Sequence, residues 1–351
     1  MSILDSKLWQ ADLDVIVTAF PELEELSGKS VMITGCTGLI CSALVDMLIF
    51  WNLKHAKKIK IIAAARSKEK LDARYSTYIK ENWFVPVLYD AASTDIHLDA
   101  PCNYIIHGAS NASPNKIIEE PVETMLSNFL GMKLLLDYAK SVSAERVLYI
   151  SSSEIYGKKE ESSPYLPDQY GYIDLLNPRN SYSVGKRSAE TLCVSYAAEY
   201  GVESVIVRPG HIYGPTAGPF DKRVSSAWAY AAARGEDIVL KSSGTQVRSY
   251  CHCLDSASAI LTVLLKGEAK RAYNISNPDS VISIRQMADI LAKYSGVKLR
   301  METATEEEQK GFNPMSNSSL DSTELLNLGW SGRFDPERGF SHTVEILKEI
   351  V

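Results

Sequence analysis

Apolar residues along this chain gather in short runs, and longer stretches of helical spacing separate them. The first run lies in "KSVMITGCTGLICSALVDMLIF", where a buried strand meets a glycine turn and a helix begins at about Leu39. "KIKIIAAARS" reads as a second strand, "WFVPVLYD" as a third, "CNYIIHGAS" as a fourth, "RVLYISSSEIYG" as a fifth and "ESVIVRPGHIYG" as a sixth. Helical patterns lie between several of them, such as "VETMLSNFLGMKLLLDYAKS" and "VGKRSAETLCVSYAAEYG". Short apolar strands alternating with helices predict a parallel sheet covered on both faces, since a strand buried on both sides shows no polar alternation. Residues 8–26 read as one amphipathic helix ahead of this sheet. After about Thr216 the pattern changes to short strands, helices and loops, with "EDIVLKSSG" a strand and turn and "SIRQMADILAKYSG" and "DSTELLNLGW" late helices.

The predicted fold is thus α/β. A helical extension spans 1–28, a doubly wound parallel sheet 29–215, and a smaller α/β lobe 216–351, some of whose segments return to the first domain. Composition agrees with a globular protein: of 351 residues, 45% are hydrophobic and 23% charged. The net charge of −6 leaves no general footprint for nucleic acid or an anionic membrane. No run of eighteen apolar residues exists, because Asp46 and Asn52 interrupt "ALVDMLIFWNL", and the acid-interrupted start does not read as a signal peptide. A cytoplasmic enzyme is expected. The six cysteines are scattered, and Cys251-His252-Cys253 has no second ligand pair at a zinc spacing, so no metal is expected.

Gly35 and Gly38 sit three apart between the first strand and its helix. A turn there brings backbone amides and a helix N-terminus to a pyrophosphate, as in a Rossmann-type dinucleotide site. An acid at the end of the second strand would bind the ribose hydroxyls of NAD. This strand ends "AAARSK" instead, and Arg66 and Ser67, with Lys68, suit a 2′-phosphate. The cofactor expected is NAD(P), with NADP favoured. Asp90 closes the third strand, within reach of an adenine amine.

Ligands bind at the carboxyl ends of strands in such a sheet. The fifth strand ends in "SSSEIYG", and thirty residues beyond Ser152 comes Tyr182, then Lys186 in "YSVGK". A spacing of four puts Tyr182 and Lys186 on one helix face. A hydroxyl at the strand end and a tyrosine on the next helix can converge on one substrate oxygen. Together with "TGCTGLIC", "HGAS", Asn128 in "LSNFLGMKLLLDYA", "VIVRPGHIYGP", "QVRSY" and "LGW", these residues resemble the extended short-chain dehydrogenases/reductases of the nucleotide-sugar epimerase/dehydratase group.

That resemblance implies roles. Tyr182 is the general base toward a sugar hydroxyl, Ser152 hydrogen-bonds the same oxygen, and Lys186 activates the tyrosine and holds the nicotinamide ribose. An ammonium about 4 Å away contributes roughly 4 kcal/mol at an effective dielectric of 20, about three pKa units for a tyrosine of pKa about 10 before desolvation is subtracted. Gly35, Thr37, Gly38, Leu39, Ile40, Arg66, Ser67, Asp90, Ala91, Ala109, Ser110, Asn128 and Pro209 are the remaining cofactor residues it implies. It also implies a homodimer packed through the helices around 119–140 and 181–200, with Leu134, Leu135, Leu192 and Tyr196 buried against sheet and partner.

Within the group the chain is most like UDP-glucuronate decarboxylases, on "HGASNASPNKIIEEP", "NPRNSYSVGKRSAET", "DKRVSSAWAYAAARGEDI" and "GTQVRSY". The likeness implies a nucleotide-sugar substrate touched by Ser113, Ser153, Arg179, His211, Arg223 and Arg248. Oxidation at the sugar 4-position makes a uronate a β-keto acid, which loses carbon dioxide, with Glu154 and Arg248 facing the carboxylate. A 4,6-dehydratase would want an acid at Ser153. Alternatives are an epimerase, an NADP-dependent 4-ketoreductase or dehydrogenase with net redox, and a non-catalytic nucleotide sensor. Cys41 in place of the third glycine, the missing strand-end acid, and His211 where those decarboxylases carry asparagine mark departures that imply a divergent specificity.

Overall fold

The computed structural model describes residues 3–92, 101–305 and 315–350. The expected helix over 8–26 is two elements. Helix α1 (Lys7–Thr18) opens at Ser6, whose hydroxyl accepts from the Trp9 amide, and a separate 3₁₀ turn covers Pro21–Leu26. Pro21 explains the break, since it has no N–H to continue the helix.

The predicted strands follow as β1 (Ser30–Thr34), β2 (Lys60–Ala65), β3 (Phe84–Leu88), β4 (Tyr104–His107), β5 (Arg146–Ile150) and β6 (Ser204–Pro209). Between them run α2 (Leu39–Lys54), α3 (Lys68–Tyr75), α4 (Pro114–Glu119), α5 (Pro121–Val142) and α6 (Ser181–Tyr200). The sixth apolar run does not continue to Tyr213. It breaks at Gly210, where a Cβ would come within 2.7 Å of the Ser249 carbonyl, and β7 (His211–Tyr213) leaves for another sheet.

The lobe that follows contains α7 (Val224–Ala233), β8 (Ile238–Leu240), β9 (Val247–His252), α8 (Cys253–Lys266), β10 (Ala272–Ile275), β11 (Val281–Ser283), α9 (Ile284–Ser295), β12 (Leu299–Met301), β13 (Asn317–Ser318), α10 (Thr323–Asn327) and α11 (Pro336–Ile350). Strand β10, not anticipated from the sequence, returns to pair parallel with β6. The main sheet therefore has seven parallel strands in the order β10-β6-β5-β4-β1-β2-β3. The order reverses between β1 and β4, and that switch point opens the crevice in which doubly wound sheets take ligands. Pro86 in β3 is tolerated because β3 is an edge strand.

Helices α2 and α8 cover one face of the sheet, and α5 and α6 the other. A further core of Tyr213, Tyr250, Met287, Leu291, Phe340 and Val344 joins α7, α9 and α11 to the small sheet built on β9. Helix α1 lies against α2 and α8. Its Trp9 is fully buried and donates through Nε1 to Asp46 of α2 at 3.1 Å, while Arg74 of α3 donates to the same carboxylate oxygen at 2.6 Å. Burial raises the Asp46 pKa to about 6 against the pull of Arg74 and Trp9. Farther along α1, Asp12 meets His342 at 3.0 Å and Arg338 at 3.4 Å, both on α11.

Candidate active site

The glycine turn stands at the switch point. Gly35 has φ of 71°, and a Cβ on it would lie 3.0 Å from the backbone of Gly108 and Ala109 at the end of β4. Gly38 caps α2 without a side-chain bond, so the first-turn amides of α2 have no side-chain acceptor competing for them. Those amides suit a pyrophosphate, and the glycine-lined approach leaves room for one. Two distant hydroxyls fix the turn: Tyr75 donates to the Cys36 carbonyl at 2.6 Å, and Thr216 to the Leu39 carbonyl at 2.7 Å. Thr37 and Ile40 are half-buried within it.

Cys41 fits through compensation by a residue at the end of β4. A Cβ added to Gly108 would meet the Cys41 sulfur at 2.3 Å, so the space lost at the third fingerprint position is recovered at β4. Burial pushes the Cys41 thiol up to about 12, leaving it an inert packing group.

Arg66 is exposed at the end of β2. Ser67 caps α3 by accepting from the Lys70 amide at 3.1 Å, and donates to the Glu69 carboxylate at 2.7 Å. The acid absent from the strand end is thus present in the first turn of the next helix. Asp90 accepts from the Ala92 amide at 3.0 Å, closing a turn beside the buried Ala91. At β4, Thr34 accepts from the Gly108 and Ala109 amides, both at 3.2 Å, and bonds His107 at 2.7 Å. Ser110 donates to Asn128 at 3.0 Å, and Asn128 donates to the Thr124 carbonyl at 2.7 Å, which ties the β4 loop to α5. Pro209 ends β6 on the same side.

Ser152 follows β5 and caps the 3₁₀ turn Ser153–Tyr156, accepting from the Glu154 amide at 3.1 Å. It also stands near enough to Tyr182 to pull the phenol's pKa down. Tyr182 and Lys186 lie one turn apart on the buried face of α6. The lysine Nζ donates to the Ile150 carbonyl at 2.8 Å and sits 4.8 Å from the Tyr149 ring centre and 5.7 Å from that of Tyr182. Ser152, Tyr182 and Lys186 therefore come together beside the glycine turn.

The electrostatics differ from the sequence expectation. Burial drives Tyr182 up to about 12, Glu154 acts in the same direction, and Ser152, Arg223 and Arg179 pull it down. Lys186 is not among the charges that lower Tyr182, and burial brings the lysine's own pKa down to about 7. Desolvation of both members outweighs the attraction between them.

Glu154 is forked by Arg179 at 3.1 and 3.2 Å. Arg223 is clasped by Asp221, its Nε lying 3.0 Å from both carboxylate oxygens. Arg248, buried in β9, donates to the Val247 carbonyl at 2.8 Å and the Met315 carbonyl at 3.0 Å. His211 lies 5.7 Å from the Tyr250 ring, and burial, reinforced by Arg248 and Arg223, lowers its pKa to about 3, so it is neutral. Glu154 thus has Arg179 for its partner, while Arg248 neighbours His211. Ser153 lies in the 3₁₀ turn, and Ser113 caps α4 with no side-chain bond. His252 of the Cys-His-Cys run caps α8, accepting from the Leu254 amide at 3.4 Å.

Thr34, Tyr149 and Arg187 escaped the sequence reading. Arg187 donates to the carbonyls of Ile155, Tyr156 and Gly171, fastening the loop after Ser152. Its place directly after Lys186 was the available signal. Tyr149 had none, since it reads as an ordinary strand residue.

Residues 31–276 match the NAD dependent epimerase/dehydratase family. UDP-glucuronic acid decarboxylase 5 of Arabidopsis thaliana is 30% identical over 321 residues, which cover 89% of this chain and 87% of that protein. UDP-glucuronic acid decarboxylase 1 of Xenopus tropicalis is 28% identical over 331 residues, 93% of this chain and 74% of that protein. The structure of UDP-glucose 4-epimerase from Thermotoga maritima shares the fold, with a TM-score of 0.75 at 21% identity over 92% of this chain and 99% of that one.

The contact between Cys41 and Gly108 gives a double-mutant test. Gly108→Ala should cost about 1–3 kcal/mol of stability through overpacking, and Cys41→Gly about 1 kcal/mol through helix entropy. In urea unfolding, the double variant should be more stable than the sum of the two losses implies. Strict additivity would show that the two positions do not share the space.

Proposed function

Because the chain belongs to the NAD dependent epimerase/dehydratase family, we propose that it is a nucleotide-sugar enzyme working through a ketone at the sugar 4-position, with the outcome of a UDP-glucuronate decarboxylase or an NDP-sugar epimerase. The convergence of Ser152, Tyr182 and Lys186 beside the glycine turn carries this reading. Bound NAD(P) supplies the hydride acceptor and, at the end, the hydride donor. The amides of the α2 N-terminus hold its pyrophosphate, and Ala109, Ser110 and Asn128 shape the opposite wall. As the tyrosinate, whose charge the Lys186 ammonium offsets, Tyr182 takes the proton of the 4-hydroxyl and becomes neutral, and Ser152 bonds the same substrate oxygen. In a uronate the 4-ketone lets the carboxylate leave as carbon dioxide, and a proton takes its place. Glu154 and Arg179 lie on the sugar side of Tyr182, and Arg223, Arg248 and His211 form the bank suited to the diphosphate. Ser153 supplies no acid for dehydration.

Arg66 favours a second reading, an NADP-dependent 4-ketoreductase or dehydrogenase with net redox. It is the exposed cation at the end of β2, where the strand itself ends without an acid. The Glu69 carboxylate on Ser67 stands nearby, and a 2′-phosphate must displace it. We further propose a cytoplasmic homodimer. Among the described residues no helix is long and apolar enough to cross a membrane. Val122, Met125, Leu126 and Phe129 of α5, with Val194 of α6, leave an exposed apolar stripe, whereas Leu135 and Tyr196 are buried within the protomer.

Offered UDP-glucuronate, UDP-glucose and other nucleotide hexoses, the protein should convert a uronate with release of carbon dioxide and no lasting change in nicotinamide absorbance. Tyr182→Phe should fold, bind cofactor and lose at least about a hundredfold in turnover. Turnover of neutral sugars alone would remove the decarboxylase reading, and a stoichiometric absorbance change would favour net redox. NADP should bind more tightly than NAD, and Arg66→Ala should weaken NADP selectively; identical titrations of both cofactors before and after the change would refute the assignment. Sedimentation at micromolar concentration should give a dimer, and a monomer there would contradict the packing of α5 and α6.

A further inference from the structure

Glu190 stands one turn beyond Lys186, on the face of α6 that also carries Tyr182. Side chains four apart on a helix are neighbours, so the three form a file. No step above uses Glu190. Its carboxylate is nearly buried, and Arg208 of β6 holds both oxygens, through Nε at 2.9 Å and a terminal nitrogen at 2.6 Å. The other Arg208 donors reach the Tyr156 hydroxyl at 3.1 Å, the Tyr170 hydroxyl at 2.9 Å and the Pro167 carbonyl. A buried ion pair of this kind is commonly replaceable by apolar residues without loss of stability. Packing alone therefore gives no reason for a carboxylate here.

The surroundings of Lys186 supply one. Tyr182 and Glu190 face it from α6, Tyr149 from β5, His107 from β4 and Cys41 from α2. Burial keeps Tyr149 and Tyr182 protonated and the Cys41 thiol un-ionised, and burial together with Lys186 keeps His107 neutral. Within this set Glu190 is the group that brings an opposing charge. It is also the largest influence that counters the desolvation of the lysine.

We propose that Glu190, clamped by Arg208, is a positioning residue that keeps Lys186 an ammonium over the pH range in which Tyr182 works, and that Arg208 ties this pair to the loop following Ser152. The lysine's catalytic use rests on the function proposed above, but its protonation does not. A lysine loses its charge as pH rises through its pKa, so removing the carboxylate moves that loss to lower pH.

The test is a titration of the free full-length protein carrying ¹³C-labelled lysine, with the Lys186 signal assigned by Lys186→Arg. Glu190→Gln should move the midpoint down by at least about one pH unit, a tenfold smaller ammonium-to-amine ratio at a given pH. Because that variant leaves Arg208 buried without its partner, a second one, Glu190→Met with Arg208→Met, removes both charges together and should move the midpoint in the same direction. Glu190→Asp should stay near the native midpoint. A native midpoint in either folded charge-removal variant would overturn the proposal, as would an equally large fall with Asp. No sugar or cofactor is present in the titration, so a wrong substrate assignment cannot produce or hide the result.

Discussion

The close approach of two backbones at the switch point is the constraint on which the rest depends. The turn after β1 must press against the end of β4, leaving no room for a side chain at Gly35 or Gly108. That contact sets the direction of α2 and hence where its amides point. It also fixes the β4 end through Thr34, and Ser110 and Asn128 extend the connection to α5. The family fingerprint usually meets the need with a third glycine in the helix. Here a cysteine occupies that place and the glycine opposite makes room for it, so the distance is kept while the residue that keeps it has moved from the helix to the end of β4.

Around Tyr182 and Lys186 burial is the dominant effect. It moves the two groups in opposite directions, the tyrosine toward keeping its proton and the lysine toward losing one. Nearby charges then divide into two sets. Arg179 and Arg223 act on the tyrosine, and Glu190 acts on the lysine. Each of these charges is itself paired, with Glu154, Asp221 and Arg208 respectively. Pairing fixes where each of these charges stands, which suits a site that must hold its substrate in one orientation while a proton moves.

Much of this was legible before any coordinates. The apolar runs located six strands, and the turn and the Tyr-x-x-x-Lys spacing located the site, because local periodicity and short spacing are properties of the sequence itself. What escaped depended on distant contacts. Pro21 and Gly210 were visible as breakers, yet their neighbours "LEEL" and "HIY" still look like continuations of the preceding element. Strand β10 is only Ala272–Ile275, too short to be distinguished from a loop until it is seen beside β6. Arg179 and Arg248 could both be nominated for the site, but which of them meets Glu154 is decided by the turn that leads into α6. The effect of burial on the lysine was not legible for the same reason: sequence spacing gives proximity, and solvation belongs to the assembled core.

Helix α1 has a consequence for how the chain acquires this structure. It is synthesised before every other described helix, yet Asp12 finds its partners 326 and 330 residues later, at Arg338 and His342. Part of its buried face can dock early on α2, where Trp9 meets Asp46, but the part that meets α8 and α11 must wait until those helices are made. Contacts of such sequence separation form late, because the loop they close must first lose its freedom. During synthesis α1 is therefore held on only part of its surface, and the contacts with α8 and α11 complete its burial later.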